Sequence, residues 1–278
     1  MSGPVRNRAG SSRGTLQVVR ELIATRSILW VLVKRDLKLR YAGSMLGWVW
    51  TVLEPLLMAG IYWFVFTQIF TRSVGQDPYI IFLLAGLLPW FWFTNGLTQG
   101  TEALLSQRRL LASTSLPRQI WVLRSVGAKG CEFLFSVPVF LIFLIFYRPT
   151  FDGELWLIPV GIALELVLLT GLGLLLSPIM VLVRDLKPII RLVTRAMFYA
   201  SPVIYSYHDI VAANLPDVLV TLYSLNPVTG IMECYRAGFF ADQTQYAAIL
   251  IAAGIAVVTL VGGWFSFMRL EPRVLKEI

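Results

Sequence analysis

Apolar and polar positions divide the chain into long uncharged runs separated by short polar stretches. Residues 55–71, 79–101, 133–147 and 243–268 carry no charge, and 155–183 is interrupted only by Glu165. About 20 apolar residues suffice for a helix to cross the hydrocarbon core, so these runs, the shorter ones extended into their flanks, predict transmembrane helices. Six spans follow: 45–70, 79–101, 120–147, 155–183, 188–207 and 245–268. The fifth contains Arg191 and Arg195 ahead of an uncharged piece, 196–207, that is too short to cross alone. Both cations therefore belong at its cytoplasmic end or against protein.

Before the first span, Leu16, Val19 and Ile23 share one helical face while Arg13 and Arg20 stay polar, the pattern of a helix lying at a membrane surface. Residues 1–14 are rich in Ser, Gly and Arg and predict a flexible cytoplasmic tail; the first 27 residues lack the apolar core of a cleavable signal peptide. The expected organisation is a tail (1–14), an amphipathic interface helix with a basic juxtamembrane segment (15–44), a six-span domain (45–269) and a short cytoplasmic end (270–278). The fold class is all-α and polytopic.

Composition agrees with lipid rather than water. The 278 residues are 57% hydrophobic and 14% charged, with a mean hydropathy of +0.71. A net charge of +8 raises the possibility of nucleic acid. With the amino terminus inside, however, every Lys and Arg except Arg72, Arg148 and Arg236 falls in a cytoplasmic segment or helix end. The positive-inside rule thus accounts for the charge, and places both termini in the cytoplasm.

Lys34, Arg35, Lys38 and Arg40 lie within seven residues, just ahead of the first span. Cations there meet anionic headgroups, each contributing about 1 kcal/mol near the surface.

Enzymatic chemistry is sparse. His208 is the single histidine, Cys131 and Cys234 lie far apart, and no carboxylate, His or Cys cluster has metal-ligand spacing. No catalytic residue, resident metal or cofactor is expected. A phosphate-cradling G-x-x-x-x-G-K-[ST] loop is absent, so ATP-driven work requires a partner.

Aromatic residues carry more information. Trp90, Phe91, Trp92 and Phe93 begin about 11 residues, or roughly 16 Å, below Tyr79, deeper than an interfacial belt. Tyr62, Trp63, Phe64 and Phe66 add rings in the first span. Ring faces there suit stacking against sugars, while helix packing must account for part of the set, since four consecutive residues cannot all face one way. Glu165, near a span's centre, costs about 2.5–3.5 kcal/mol on insertion scales; a structural hydrogen bond and a wet path explain it equally. Lys129 and Glu132, three apart, are expected to pair.

The runs "KRDLKLRYAGSMLGWVWTVLEPLL", "GLLPWFWF", "SLPRQIW", "VRDLKP" and "LNPVTGIMECYRAGFF" together resemble the membrane subunit of ABC-2 type exporters. The similarity is to the polysaccharide branch, with O-antigen and teichoic-acid exporters, and among these to actinobacterial galactan exporters. The resemblance implies a homodimer in a bacterial inner membrane, joined to two copies of an ATPase subunit that handles ATP and magnesium. It implies a polyprenyl-pyrophosphate-linked glycan as cargo, and some of Lys34, Arg35, Lys38 and Arg40 would then contact its pyrophosphate or the ATPase. The substrate channel would use Tyr62, Trp63, Phe66, Trp90, Phe91, Trp92, Phe93 and Glu165. Coupling to the ATPase would fall to an inner loop, 102–118, with Glu102, Arg108 and Arg109, and to Arg184 and Asp185. Short outer helices in 206–244 would gate the exit, with His208, Asn226, Pro227 and Arg236. A drug or small-lipid exporter, and a membrane-embedded enzyme acting on lipid-linked sugars, are the alternatives.

Overall fold

The computed structural model describes residues 14–43, 46–47, 49–69, 75–114, 116–149, 151, 153–183, 185–213, 216–240 and 244–277. The expected tail, apart from Gly14, lies outside these residues, as do Arg72, Arg184 and the side chain of Arg109. The elements are α1 (Thr15–Ala24), α2 (Arg26–Tyr41), α3 (Val49–Phe64), α4 (Tyr79–Thr101), α5 (Arg108–Ser113), α6 (Gln119–Tyr147), α7 (Leu157–Leu182), α8 (Leu186–Tyr199), α9 (Tyr207–Ala212), α10 (Asp217–Leu225), α11 (Pro227–Arg236) and α12 (Tyr246–Glu277). No strand occurs among the described residues.

Five helical segments are long and apolar enough to cross a membrane: Val49–Ile69, Tyr79–Thr101, Gln119–Tyr147, Gly153–Leu182 and Tyr246–Glu277. The chain is a multi-pass membrane protein. The first segment is α3 continued by a π-helical turn, Val65–Ile69. Where the sequence predicts a fifth span, α8 supplies 14 helical residues, followed by non-helical backbone through residues 200–206. This second half has no helical ladder of its own, and several of its carbonyls are met by side chains of Tyr79, Asn226 and Arg236.

Helices α3, α4, α6 and α7 alternate in direction, while α12 runs parallel to α7, with Leu157 near Ile249 and Gly171 beside Leu260. Gly100 of α4 meets Val126 of α6 and Gly173 of α7, which puts the start of α6 and the end of α7 at one end of the bundle. Arg118 pairs with Glu271 at that same end, hereafter the basic end. Helices α9, α10 and α11 sit at the opposite, distal end, where Glu154 accepts hydrogen bonds from Thr244 and Tyr246. At the basic end α4 stops at Thr101 and the chain turns through a 3-10 segment into the separate helix α5. The sequence pattern alone predicts a continuous extension of the second span to Arg109.

Helix α4 is the centre of the bundle; it packs on α3, α6, α7, α8 and α11, and nearly all its residues from Tyr79 to Phe93 are buried. Helices α7 and α12 cross closely because Gly171 and Gly263 face each other. A Cβ on Gly171 would sit 2.6 Å from the backbone N of Leu260, and backbone, unlike a side chain, cannot move aside. Gly171→Val is expected to cost about 1–3 kcal/mol through overpacking, read as a lower midpoint for thermal unfolding of the solubilised protein. An unchanged midpoint would show that the two helices separate freely.

Helices α1 and α2 lie outside the bundle. Leu16, Val19 and Ile23 are exposed along α1, the face an interfacial helix offers to lipid. Helix α2 is tied to α6: Arg124 donates to Asp36, Arg40 bonds Glu132 at 3.1 Å, and Val33 is buried beside Gly127.

Candidate functional site

Helix α4 carries its aromatic run into the middle of the bundle and splits it between two sides. Trp92 turns toward α6, where it stacks on Phe133 with centroids 4.8 Å apart. Trp90 turns the other way, 5.5 Å from Phe198 of α8 and 5.6 Å from Phe93. Tyr62 of α3 stacks on the same Phe198 at 5.9 Å. Tyr62, Trp90 and Phe198 border an open cleft of about 330 Å³ between α3, α4 and α8, with Phe91, Thr94, Arg195 and Tyr199 also on its walls.

Phe91 also borders a smaller polar cavity of about 130 Å³. Arg40, Glu54, Asn95, Lys129 and Glu132 provide its polar groups, and Trp50 and Trp92 its rings. Glu132 accepts from Arg40 at 3.1 Å and from Lys129 at 2.7 Å, so the expected pair is one half of a three-group bridge. With its amide oxygen turned inward, Gln99 accepts from the same two cations at 3.0 and 3.2 Å. Lys129 is 2% exposed, so its charge is stabilised by these acceptors and not by water.

The structure therefore unites part of the sequence-predicted channel set. Tyr62, Trp90 and Phe91 share the cleft; Trp92 and Phe93 are buried, Trp92 beside the polar cavity. Phe66 lies toward the distal end, against Tyr79. Trp63 is exposed on another face of α3. Glu165 is fully buried on α7, where it accepts from the Tyr235 hydroxyl at 2.9 Å. Phe198, Tyr199 and Arg195 were missed because the sequence signal, Arg191/Arg195 and Thr194/Phe198 four apart, matters only once α8 is known to face α4.

The basic cluster divides. Lys34 sits 5.3 Å above the Trp30 ring, Arg35 lies 3.9 Å from Asp36, Lys38 is exposed, and Arg40 belongs to the polar cavity. Of the residues the resemblance assigns to coupling, Glu102 ties the end of α4 to α8 through Lys187 at 2.8 Å. Arg108 opens α5 and is partly buried, and Asp185 is exposed just before α8.

At the distal end, Asn226 caps α11 by accepting from the Val228 N–H at 3.0 Å and donates to Ala200 O and Ser201 Oγ. Pro227 is the first residue of α11, where its missing N–H costs nothing. Arg236 is buried at the other end of α11; it donates to the carbonyls of Pro202, Val203 and Tyr205 and lies 3.7 Å from the Phe82 ring centre. Burial pulls its guanidinium down to about 10, opposed by Glu233, so it remains cationic at neutral pH; burial likewise raises Glu233, opposed by Arg236. His208 is exposed on α9.

Residues 28–240 match the family described as ABC-2 type transporter. The chain belongs to the ABC-2 type transporter family. It is 32% identical over 93% of its length to an O-antigen export system permease protein of Myxococcus xanthus, covering 96% of that protein. A second protein of the same description, from Klebsiella pneumoniae, is 31% identical over 88% of this chain and 93% of its own. A polysialic acid transport protein of Escherichia coli is 22% identical over 87% of this chain and 92% of its own. Membership makes this ABC-2 protein a transport component and not a membrane-embedded enzyme.

Proposed function

We propose that this ABC-2 transporter is the permease of an ATP-driven exporter that moves a lipid-linked polysaccharide from the cytoplasm across the inner membrane. Two copies would form the path, and two copies of an ATPase subunit, carrying ATP and magnesium, would dock at the basic end. The positive-inside rule supports a cytoplasmic basic end, with α5 and the Glu102–Lys187 pair as the coupling surface.

The observation that carries the reading is the cleft itself. It is open on one side, between α3 and α8, and both helices show large exposed apolar residues beside it, including Ile61, Phe64, Leu192 and Tyr199. A second copy would close it into a path walled by aromatic rings, suited to sugar faces. ATP binding, by pressing the two basic ends together, would widen that path. The exported polymers in the relatives' names support a glycan cargo. A cell-wall galactan on a polyprenyl pyrophosphate is the first cargo to try.

Co-expression with an ABC ATPase subunit from the same genome and reconstitution into liposomes tests this. The expected result is a stable assembly whose ATP hydrolysis rises with lipid-linked glycan. Phe91→Ala with Tyr62→Ala is expected to lower glycan flux about tenfold, from two ring contacts of about 0.5–1.5 kcal/mol each. A chain that never associates with an ATPase, or an assembly that moves drugs and ignores glycan, would overturn the proposal.

A further inference from the structure

Helix α8 is short, amphipathic and only lightly covered. Its packed residues, Leu186, Ile190, Thr194 and Met197, face the bundle, while Ile189, Leu192, Val193 and Tyr199 form an exposed apolar face. Between these two faces runs a line of cations, Lys187, Arg191 and Arg195, each four residues from the next. Residues at that spacing stack on one side of a helix, about 6 Å apart along the axis. Lys187 is held by Glu102 at the level where α4 ends. Arg191 and Arg195 thus stand about 6 and 12 Å further into the bundle.

Both are exposed, and no ion pair occupies either one among the described residues. An arginine side chain turns to water or an anion rather than to hydrocarbon, and the more so the deeper it stands. Two in succession on an open face therefore indicate water beside it, or an anionic ligand, rather than hydrocarbon. Arg195 forms part of the aromatic cleft wall, with Tyr62, Trp90, Phe91 and Phe198 alongside. No Asp or Glu lines that cleft, so nothing there cancels the charge. The polar cavity beyond Phe91 differs in this respect, since Glu132 bridges its cations and Glu54 shares its wall.

We propose that Arg195, on the cleft wall, and Arg191, one turn nearer the basic end, form an anion-binding stripe leading into the cleft that takes the phosphate or pyrophosphate joining the cargo glycan to its lipid. This rests on the exporter reading and assigns the cargo's charged part to α8, beside the rings that would hold its sugars. Guanidinium groups are suited to such a ligand, because their planar donors pair two at a time with phosphate oxygens and they stay charged in any surroundings. Two stations about 6 Å apart let a phosphate pass from one to the next without leaving cationic surroundings.

The test uses the intact complex in phosphatidylcholine nanodiscs, with farnesyl pyrophosphate as the probe and farnesol as its neutral counterpart. Arg191→Gln with Arg195→Gln is expected to weaken farnesyl pyrophosphate about tenfold or more and to flatten its dependence on salt. Farnesol binding is expected to stay as it is, which also shows that the variant is folded. Arg195→Gln alone, expected to give a smaller loss in the same direction, serves if the double variant fails to assemble. Equal pyrophosphate affinity in wild type and variants overturns the inference. So does displacement of the probe when phosphatidylglycerol replaces part of the bilayer, since the stripe is then a contact for bulk lipid headgroups. Failure of the exporter reading looks different: wild-type complex shows no glycan flux, whatever the probe does.

Discussion

Arg236→Met is expected to destabilise the distal end by about 3–5 kcal/mol, the range for removing one partner from a buried charged network. The guanidinium reaches three carbonyls, at Pro202, Val203 and Tyr205, in the stretch where α8 has ended and no helical ladder satisfies the backbone. Methionine replaces its length and apolar contact with Phe82 but offers no donors, so buried acceptors lose their partners. The loss should be local at first: protease sensitivity near residues 200–206 and in α9 should rise before the spanning helices unfold. Arg236→Lys is expected to recover only part of the stability, because an ammonium lacks the planar fork that reaches several carbonyls at once. Proteolysis and thermal unfolding in detergent read both effects. A variant as resistant as wild type would show that these carbonyls find other donors.

Glu132→Leu is expected to cost a similar amount, about 3–5 kcal/mol, because it leaves Lys129 charged, 2% exposed and without its carboxylate. The companion variant decides the cause. In Lys129→Met with Glu132→Leu the buried charges go together, and most of the lost stability should return, since replacing a whole buried pair by apolar groups is often neutral. Arg40, 41% exposed at its side chain, can turn to solvent once its partner is gone. Thermal unfolding of the single and double variants measures the difference. If the double variant is as unstable as Glu132→Leu, packing around residue 132 and not the unpaired lysine sets the cost. Because Arg40 lies on α2, the single variant should also loosen α2 from α6, visible as faster hydrogen exchange in residues 26–41.

Much of the architecture is legible in the one-dimensional pattern. An uncharged run long enough to cross lipid leaves the backbone little choice but a helix, because no water is there to satisfy open N–H and C=O groups. That is why α4, α6 and α7 fall close to the predicted bounds; α12 starts where expected but runs on to Glu277, past the predicted end at 268. Lys129 and Glu132 pair as their spacing predicts, and the break at "LNP" separates α10 from α11 through an Asn cap and a Pro at the first position. Where the run is mixed, as in 188–207, hydropathy has no single answer and the chain settles on half a helix and a half of turns and bends held by Arg236.

The sequence by itself determined a multi-pass helical protein, the surface helices before it, and a set of deep aromatic and charged residues that call for explanation. Only the tertiary structure decided which of them meet. Four consecutive aromatics on α4 look alike in sequence, yet Trp92 faces α6 while Trp90 faces α8, because successive helical positions differ by about 100° in direction. Arg40 and Glu132 are 92 positions apart, and no local rule brings them together. Arg195 becomes part of a cleft only because the packed face of α8 rests on α4 and turns the cations to its edge. Periodicity specifies a helix and its faces; which face meets which neighbour follows from the packing of all the helices together.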